Sequence, residues 1–214
     1  MQKYRYTRLS ADYLLSLLQS NYSGLRNASC RYFTKGLHDN YLIECDSQQF
    51  ICRVYRNDWR SEDEISFELE YLAHLAASHS PIASPLLNRS GHLFFSENCP
   101  EGTRFIALFH YASGYPLQSP IDLETAQVLG QSVAEIHQNS KGFQSTYQRK
   151  ALALPFLLWE SIDAIRPFLK AAEDREYLQL VAQNLEQKLR PIEAALPQVF
   201  CQGDVNLTNF HITD

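Results

Sequence analysis

Apolar positions along this chain change their period twice. Ser10 precedes Leu14, Leu15, Leu17 and Leu18, whose spacing gives one apolar helix face, and the turn formers Asn21 to Gly24 close it. Three short runs rich in aromatic and branched residues follow at 29–34, 41–44 and 50–55, joined by turn chemistry at 35–40 and 45–49. Such runs predict an antiparallel meander. Helical period returns after Ser61-Glu-Asp-Glu64, a capping-box signature, with Ile65, Leu72 and Leu75 on one stripe as far as about Ser78. Residues 79–85, with Pro81 and Pro85, break that helix and lead to short apolar segments at 86–88 and 92–95 around a Ser90-Gly91 turn. A buried strand at 104–114 ends in Gly114. Beyond Pro116 no strand pattern recurs until residue 198. Helices are expected from Asp122 (Ala126, Leu129, Val133, Ile136) to 139–142, over 156–169 between Pro155 and Pro167, and over 174–190 (Leu178, Val181, Leu185, Leu189), where Pro191 bends or ends the last. The stretch 199–212 reads as an apolar strand, a tight polar loop and a second apolar strand. Strands first and helices afterwards make an α+β protein with a boundary near residue 113.

Two places break the apolar pattern. Alternation puts Arg53 on the same strand face as Ile51 and Tyr55, and the stripe of the next helix carries Glu68 between Ile65 and Leu72. An unpaired cation among apolar neighbours costs several kcal/mol, so the two are expected to pair. The plainer alternative is an edge arginine beside an acidic first turn that complements the helix dipole. The other place is the loop at 201–209, where Asp204 and Asn209 stand five apart. Kinase-type phosphoryl transfer uses that separation, the carboxylate receiving the proton of the attacking hydroxyl and the amide oxygen holding a metal ion. A solvated Asx-rich turn gives the same letters. Gly36, alone in the 35–40 connection, does not make G-x-G-x-x-G, and a plain hairpin turn accounts for it.

Composition narrows the field. With 214 residues, 45% hydrophobic and 20% charged, the chain is an ordinary globular one without repeats or low-complexity tracts. A net charge of -5 leaves no basic footprint, so nucleic acid and anionic membrane are not expected partners. Cys30, Cys45, Cys52, Cys99 and Cys201 form no C-x-x-C pair and the seven histidines no zinc spacing, which points to reduced, buried thiols in a cytoplasmic protein. The apolar run at 152–159 is too short to span a bilayer and contains Pro155. His137 and Trp159 sit on apolar helix faces and read as packing residues.

Taken in order, the strand cation, the helix glutamate, the linker strand ending in glycine, the helices and Gln202-Gly-Asp-Val-Asn-Leu-Thr-Asn209 resemble the aminoglycoside phosphotransferase and choline kinase family. The flavour is that of bacterial homoserine-kinase-like and stress-response-kinase-like members. The stretches most similar to it are Cys52-Arg-Val-Tyr-Arg56 through Trp59-Arg-Ser61, Phe67-Glu-Leu69, Ala107-Leu-Phe-His-Tyr-Ala-Ser-Gly114, Leu129-Gly130 with Glu135-Ile-His137, and the final loop. The resemblance implies a protein-kinase-like two-lobed fold with ATP and Mg2+ between the lobes. It makes 1–112 an N-terminal nucleotide-binding lobe with an antiparallel sheet and one main helix, and 113–214 a partial, mainly helical lobe bearing the catalytic loop. Carried over by position, Arg53 contacts phosphates and Glu68 holds it, His110 and Ala112 offer linker backbone to adenine, Asp204 is the catalytic base and Asn209 a magnesium ligand. The acceptor implied is a hydroxyl of a small molecule or a protein.

The sequence departs from that family in two ways. Gln202 stands where its members usually carry histidine before Gly-Asp, and the chain stops at Asp214, too early for the second metal-binding aspartate on the following strand. The expectation is that these 214 residues bind MgATP weakly at best and transfer no phosphate. The alternative is a non-catalytic, degenerate kinase serving as a nucleotide-binding or protein-interaction module. An unrelated α+β protein with a chance Asp-Asn loop is the third reading.

Overall fold

A computed structural model describes residues 6–213. The first helix, α1 (Ala11–Asn21), starts where Ser10 accepts a hydrogen bond from the Tyr13 N–H. Strands β1 (Ser29–Lys35), β2 (Asp39–Cys45) and β3 (Gln48–Val54) form the expected meander, and α2 (Glu62–Ala77) follows with both capping-box bonds made by Ser61 and Glu64. A hairpin of β4 (Phe95–Cys99) and β5 (Gly102–His110) completes a five-stranded antiparallel sheet in the order β1-β2-β3-β5-β4.

The sheet is covered on both faces, and β3 and β5 explain how. Phe50, Cys52, Val54, Ile106 and Leu108 point to one side, where Leu14, Leu18 and Tyr22 of the α1 segment are buried against them. Tyr55, Ala107 and Phe109 point to the other, against Ile65 and Leu69 of α2. Each fully buried leucine in these two clusters contributes about 1.5–3 kcal/mol. Arg53 lies at a β3 position of the α2 face, paired in register with Asn40 and Ala107.

Several expected elements differ. Segment 86–88 is not a strand; Asn88 accepts from the Ser90 and His92 N–H groups and donates to the Phe94 carbonyl, so its side chain supplies the bonds a ladder would have made. The edge strand therefore starts at Phe95. The segment around Pro155 and Pro167 breaks into a π turn (Pro155–Glu160), a short α4 (Ser161–Ile165) and a 3-10 turn (Arg166–Phe168). By contrast α5 (Ala172–Ala195) runs through Pro191. That proline and Gln187, whose carbonyl loses its bond, are both exposed, so water can take the freed acceptor. The helix α3 (Leu123–Asn139) begins at Asp122, which accepts from the Thr125 N–H at 2.7 Å. Residues 199–206 form no strand; β6 (Tyr115–Pro116) pairs instead with β7 (His211–Ile212). The thiol expectation also needs correction, since Cys201 is exposed.

The described chain forms two compact units, one running to Gln148 and resuming at Phe200, the other Arg149–Val199. Among the described residues no helix is long and apolar enough to cross a membrane.

Candidate functional site

Arg53 reaches from β3 to α2. Its Nη1 lies 3.2 Å from Glu68 Oε1, and the Tyr55 hydroxyl donates to the same oxygen at 3.3 Å. The guanidinium also sits 5.0 Å from the centre of the Phe109 ring. Both charged side chains keep some exposure, 33% for Arg53 and 21% for Glu68, so the pair is neither sealed in the core nor loose on the surface. The buried Arg53 Nε–H has no partner among the described residues. Burial first, and the Glu68 charge second, push the Tyr55 phenol up, keeping it a neutral donor.

The β1–β2 turn closes beside this pair. His38 Nδ1 accepts from the Arg56 N–H at 3.1 Å, and its ring packs on Tyr55 with centres 4.8 Å apart. Burial, then the nearby Arg53, Arg104 and Arg60 charges, lower its pKa to about 4, so the ring is neutral and its proton sits on Nε2.

The linker leaves β5 with the His110 N–H donating to the Ser84 carbonyl and the Tyr111 N–H to the Gln49 carbonyl. The Ala112 carbonyl faces His211, whose Nδ1 lies 2.9 Å away. Gly114 has φ +82°, and a side chain there would run into the Ile212 carbonyl, so only glycine lets the two segments come this close.

The loop is built on the other side of that contact. Gly203, at φ +69°, turns the chain, and the Asn206 side chain accepts from the Thr208 N–H and hydroxyl. Asn209 Nδ2 then donates both to the Asp204 carboxylate, Oδ2 at 3.0 Å, and to the Asp204 carbonyl at 3.1 Å. Asp204 and Gln202 are exposed. Upstream, the Phe200 ring packs against Phe67 and Tyr71 of α2 and against Phe143, with centres 5.4–5.6 Å apart. That insertion is why 199–202 is not a strand.

The structure thus brings Arg53 to Glu68, Asp204 to Asn209, and Ala112 to the strand that leaves the loop. Neither charged group lines the polar cavity of about 570 Å³ between 56–64 and 101–105. Asp214 lies outside the described residues. Sequence reading missed His211, Tyr55 and the ring cluster around Phe200; a polar His211 between Phe210 and Ile212 was the available signal.

A profile of the phosphotransferase enzyme family, APH, matches residues 29–214. The chain belongs to this family. An uncharacterized protein of Synechocystis is 33% identical over 210 residues, covering 97% of this chain and 58% of that protein. A homoserine kinase of Rhodospirillum rubrum is 27% identical over 208 residues, 96% of this chain and 60% of its own. The chain spans somewhat under two thirds of the length of these relatives. Its fold is the kinase-like one, α+β with an antiparallel sheet. It resembles an amicoumacin kinase in complex with AMP-PNP (TM-score 0.68, 18% identity, 87% of this chain and 54% of that one). It also resembles a spectinomycin phosphotransferase in complex with ADP (TM-score 0.60, 14% identity, 97% and 67%).

The residues present fit a nucleotide with its cation. The Arg53 Nε–H has no partner among the described residues, and Asn209, with Nδ2 committed to Asp204, would offer its carboxamide oxygen to a metal. Among the described residues no group of three or more His, Cys, Asp or Glu gathers to hold a metal.

Proposed function

We propose that this phosphotransferase chain binds MgATP and belongs to an enzyme that moves the γ-phosphate to a hydroxyl of a small molecule or a protein. One observation carries the reading: in a member of this family, the Asn209 carboxamide closes on the Asp204 carboxylate at 3.0 Å. In this reading one carboxylate oxygen is oriented by Asn209, and the other is left to accept the proton of an incoming hydroxyl. Arg53, steadied by Glu68 and Tyr55, binds phosphate oxygens, while His110 and Ala112 present linker backbone to adenine. The Asn209 oxygen holds the cation. MgATP, when bound, supplies the transferable group and spreads its charge. The division at residue 113 is then one between a nucleotide-binding part, 1–112, and a loop-bearing part, 113–214. Homoserine, the substrate class named for one relative, is the first acceptor to try.

Titration of the purified chain with MgAMP-PNP tests this. Saturable binding is expected, weakened about tenfold or more in Arg53→Ala, because a charge-assisted phosphate contact is lost. No binding by the unaltered chain at millimolar nucleotide overturns the reading. Any ADP release that depends on homoserine, choline, an aminoglycoside or a generic protein should fall at least about a hundredfold in Asp204→Ala.

A further inference from the structure

We propose that His211 is a positioning residue that straps the Asp204–Asn209 loop to the linker at Ala112, so that a base seated on the linker is held in register with the loop. The inference rests on the nucleotide reading above and adds to it a side chain to which no role has been given.

The bond itself is well defined. The Ala112 carbonyl has only lone pairs to offer, so at 2.9 Å the His211 Nδ1 must carry the proton. The imidazole plane is fixed from the side by Tyr111, whose ring meets it edge-on at 5.8 Å and 71°. Main-chain bonds run alongside: Tyr115 pairs with Ile212, Pro116 with His211, and the Leu117 N–H donates to the Phe210 carbonyl at 3.1 Å. Two-residue strands are marginal on their own, and Pro116 has no N–H to give, so this ladder holds the loop weakly without the side-chain bond.

The connection to the loop is short. Only Phe210 separates His211 from Asn209, and the Phe210 N–H is tied back to the Leu207 carbonyl at 3.2 Å. Asn209 in turn holds the Asp204 carboxylate at 3.0 Å. The linker carbonyl and imidazole are therefore joined to the carboxamide and carboxylate through a two-residue main-chain step from His211 to Asn209 that contains no glycine and whose Phe210 N–H is bonded. A shift of His211 by an ångström moves the carboxamide by a comparable amount, and orientation errors of that size are costly in phosphoryl transfer.

Two variants separate the strap from simple packing. His211→Leu fills the same space without a donor. His211→Asn places an N–H near the position of Nδ1. Amide exchange without nucleotide should be about tenfold faster in His211→Leu at Leu117 and Ile212, matching the loss of one hydrogen bond, while β2 and β3 stay unchanged. His211→Asn should restore slow exchange. In titrations, His211→Leu should weaken MgAMP-PNP about tenfold yet shift magnesium tripolyphosphate, which has no base, less than about twofold. Unchanged exchange in His211→Leu, a His211→Asn chain as loose as His211→Leu, or an equal loss for tripolyphosphate overturns the proposal. If the unaltered chain binds neither probe while His211→Leu alone loosens the ladder, the strap stands and the nucleotide reading falls.

Discussion

Arg53 and Arg104 are both cations on the sheet, and their surroundings give them different work. Arg104 is fully buried, and all its donors are used: Nε on the Tyr55 carbonyl, Nη1 on the Thr7 carbonyl and Glu101, Nη2 on Asp39 and the Val54 carbonyl. Tyr6 adds a hydroxyl donor to Asp39. A guanidinium so saturated has nothing left for a ligand and serves to close the end of the sheet. Arg53, by contrast, keeps a buried Nε–H without a partner among the described residues, which is why the proposal above gives it, and not Arg104, to phosphate. His38 is half-buried and feels the charges of both, together with Arg60 and Asp39, and its lowered pKa sets a pH dependence. From the ordinary 6.5 down to about 4 the unfolded chain takes up a proton that the folded chain refuses. The contribution of neutral His38 is therefore complete above 6.5 and is lost as pH falls through that window. His38→Asn keeps an acceptor for the Arg56 N–H but has no proton to gain. Denaturant midpoints measured from pH 8 to 4.5 should fall less steeply for that variant than for the unaltered chain.

Elements whose signals are local were legible in the sequence. The α1 cap, the α2 capping box and the Asp122 start of α3 all rest on residues within four positions of each other, and the meander on short turns between neighbouring strands. Pairing of Arg53 with Glu68 was legible too, because strand and helix periods each put a charge on an apolar face. What could not be read depends on contacts across the chain. Asn88 takes its segment out of the sheet with side-chain bonds that resemble a loop only once Phe94 is in place. Phe200 leaves an apparent strand to join rings contributed by α2 and Phe143. The meeting of β6 with β7 spans almost a hundred residues and is permitted by one glycine. Gly114→Ala should be costly for two reasons, a left-handed backbone penalty of about 1–2 kcal/mol and a clash with the Ile212 carbonyl that the ladder can relieve only by opening. Faster exchange at Leu117 with little change at Leu108 in β5 would show that opening, and a uniform loss of protection would contradict it.

At the scale of the molecule, burial is unevenly shared between the two units. The sheet-bearing unit has two apolar clusters, whereas between Arg149 and Val199 the buried hydrophobic residues among those described are Ile162 and Ala182. In the same segment Phe168 is 81% exposed and Tyr177 71%, with Leu180, Leu185, Leu189, Ile192 and Leu196 all in contact with solvent. A helix such as α5 gains most of its stability from packing rather than propensity, so with this little buried it should open locally at small cost. The consequence is a molecule of two stabilities, in which β2, β3 and β5 exchange only on global unfolding and α4 and α5 exchange by local opening. Amide exchange followed by mass spectrometry should find peptides within 149–199 at least about a hundredfold less protected than those within 41–54. Exposed apolar surface of this extent should also bind an apolar dye without any denaturant. Equal protection in the two regions would mean that the helices of 149–199 are held by more than the contacts their own residues make.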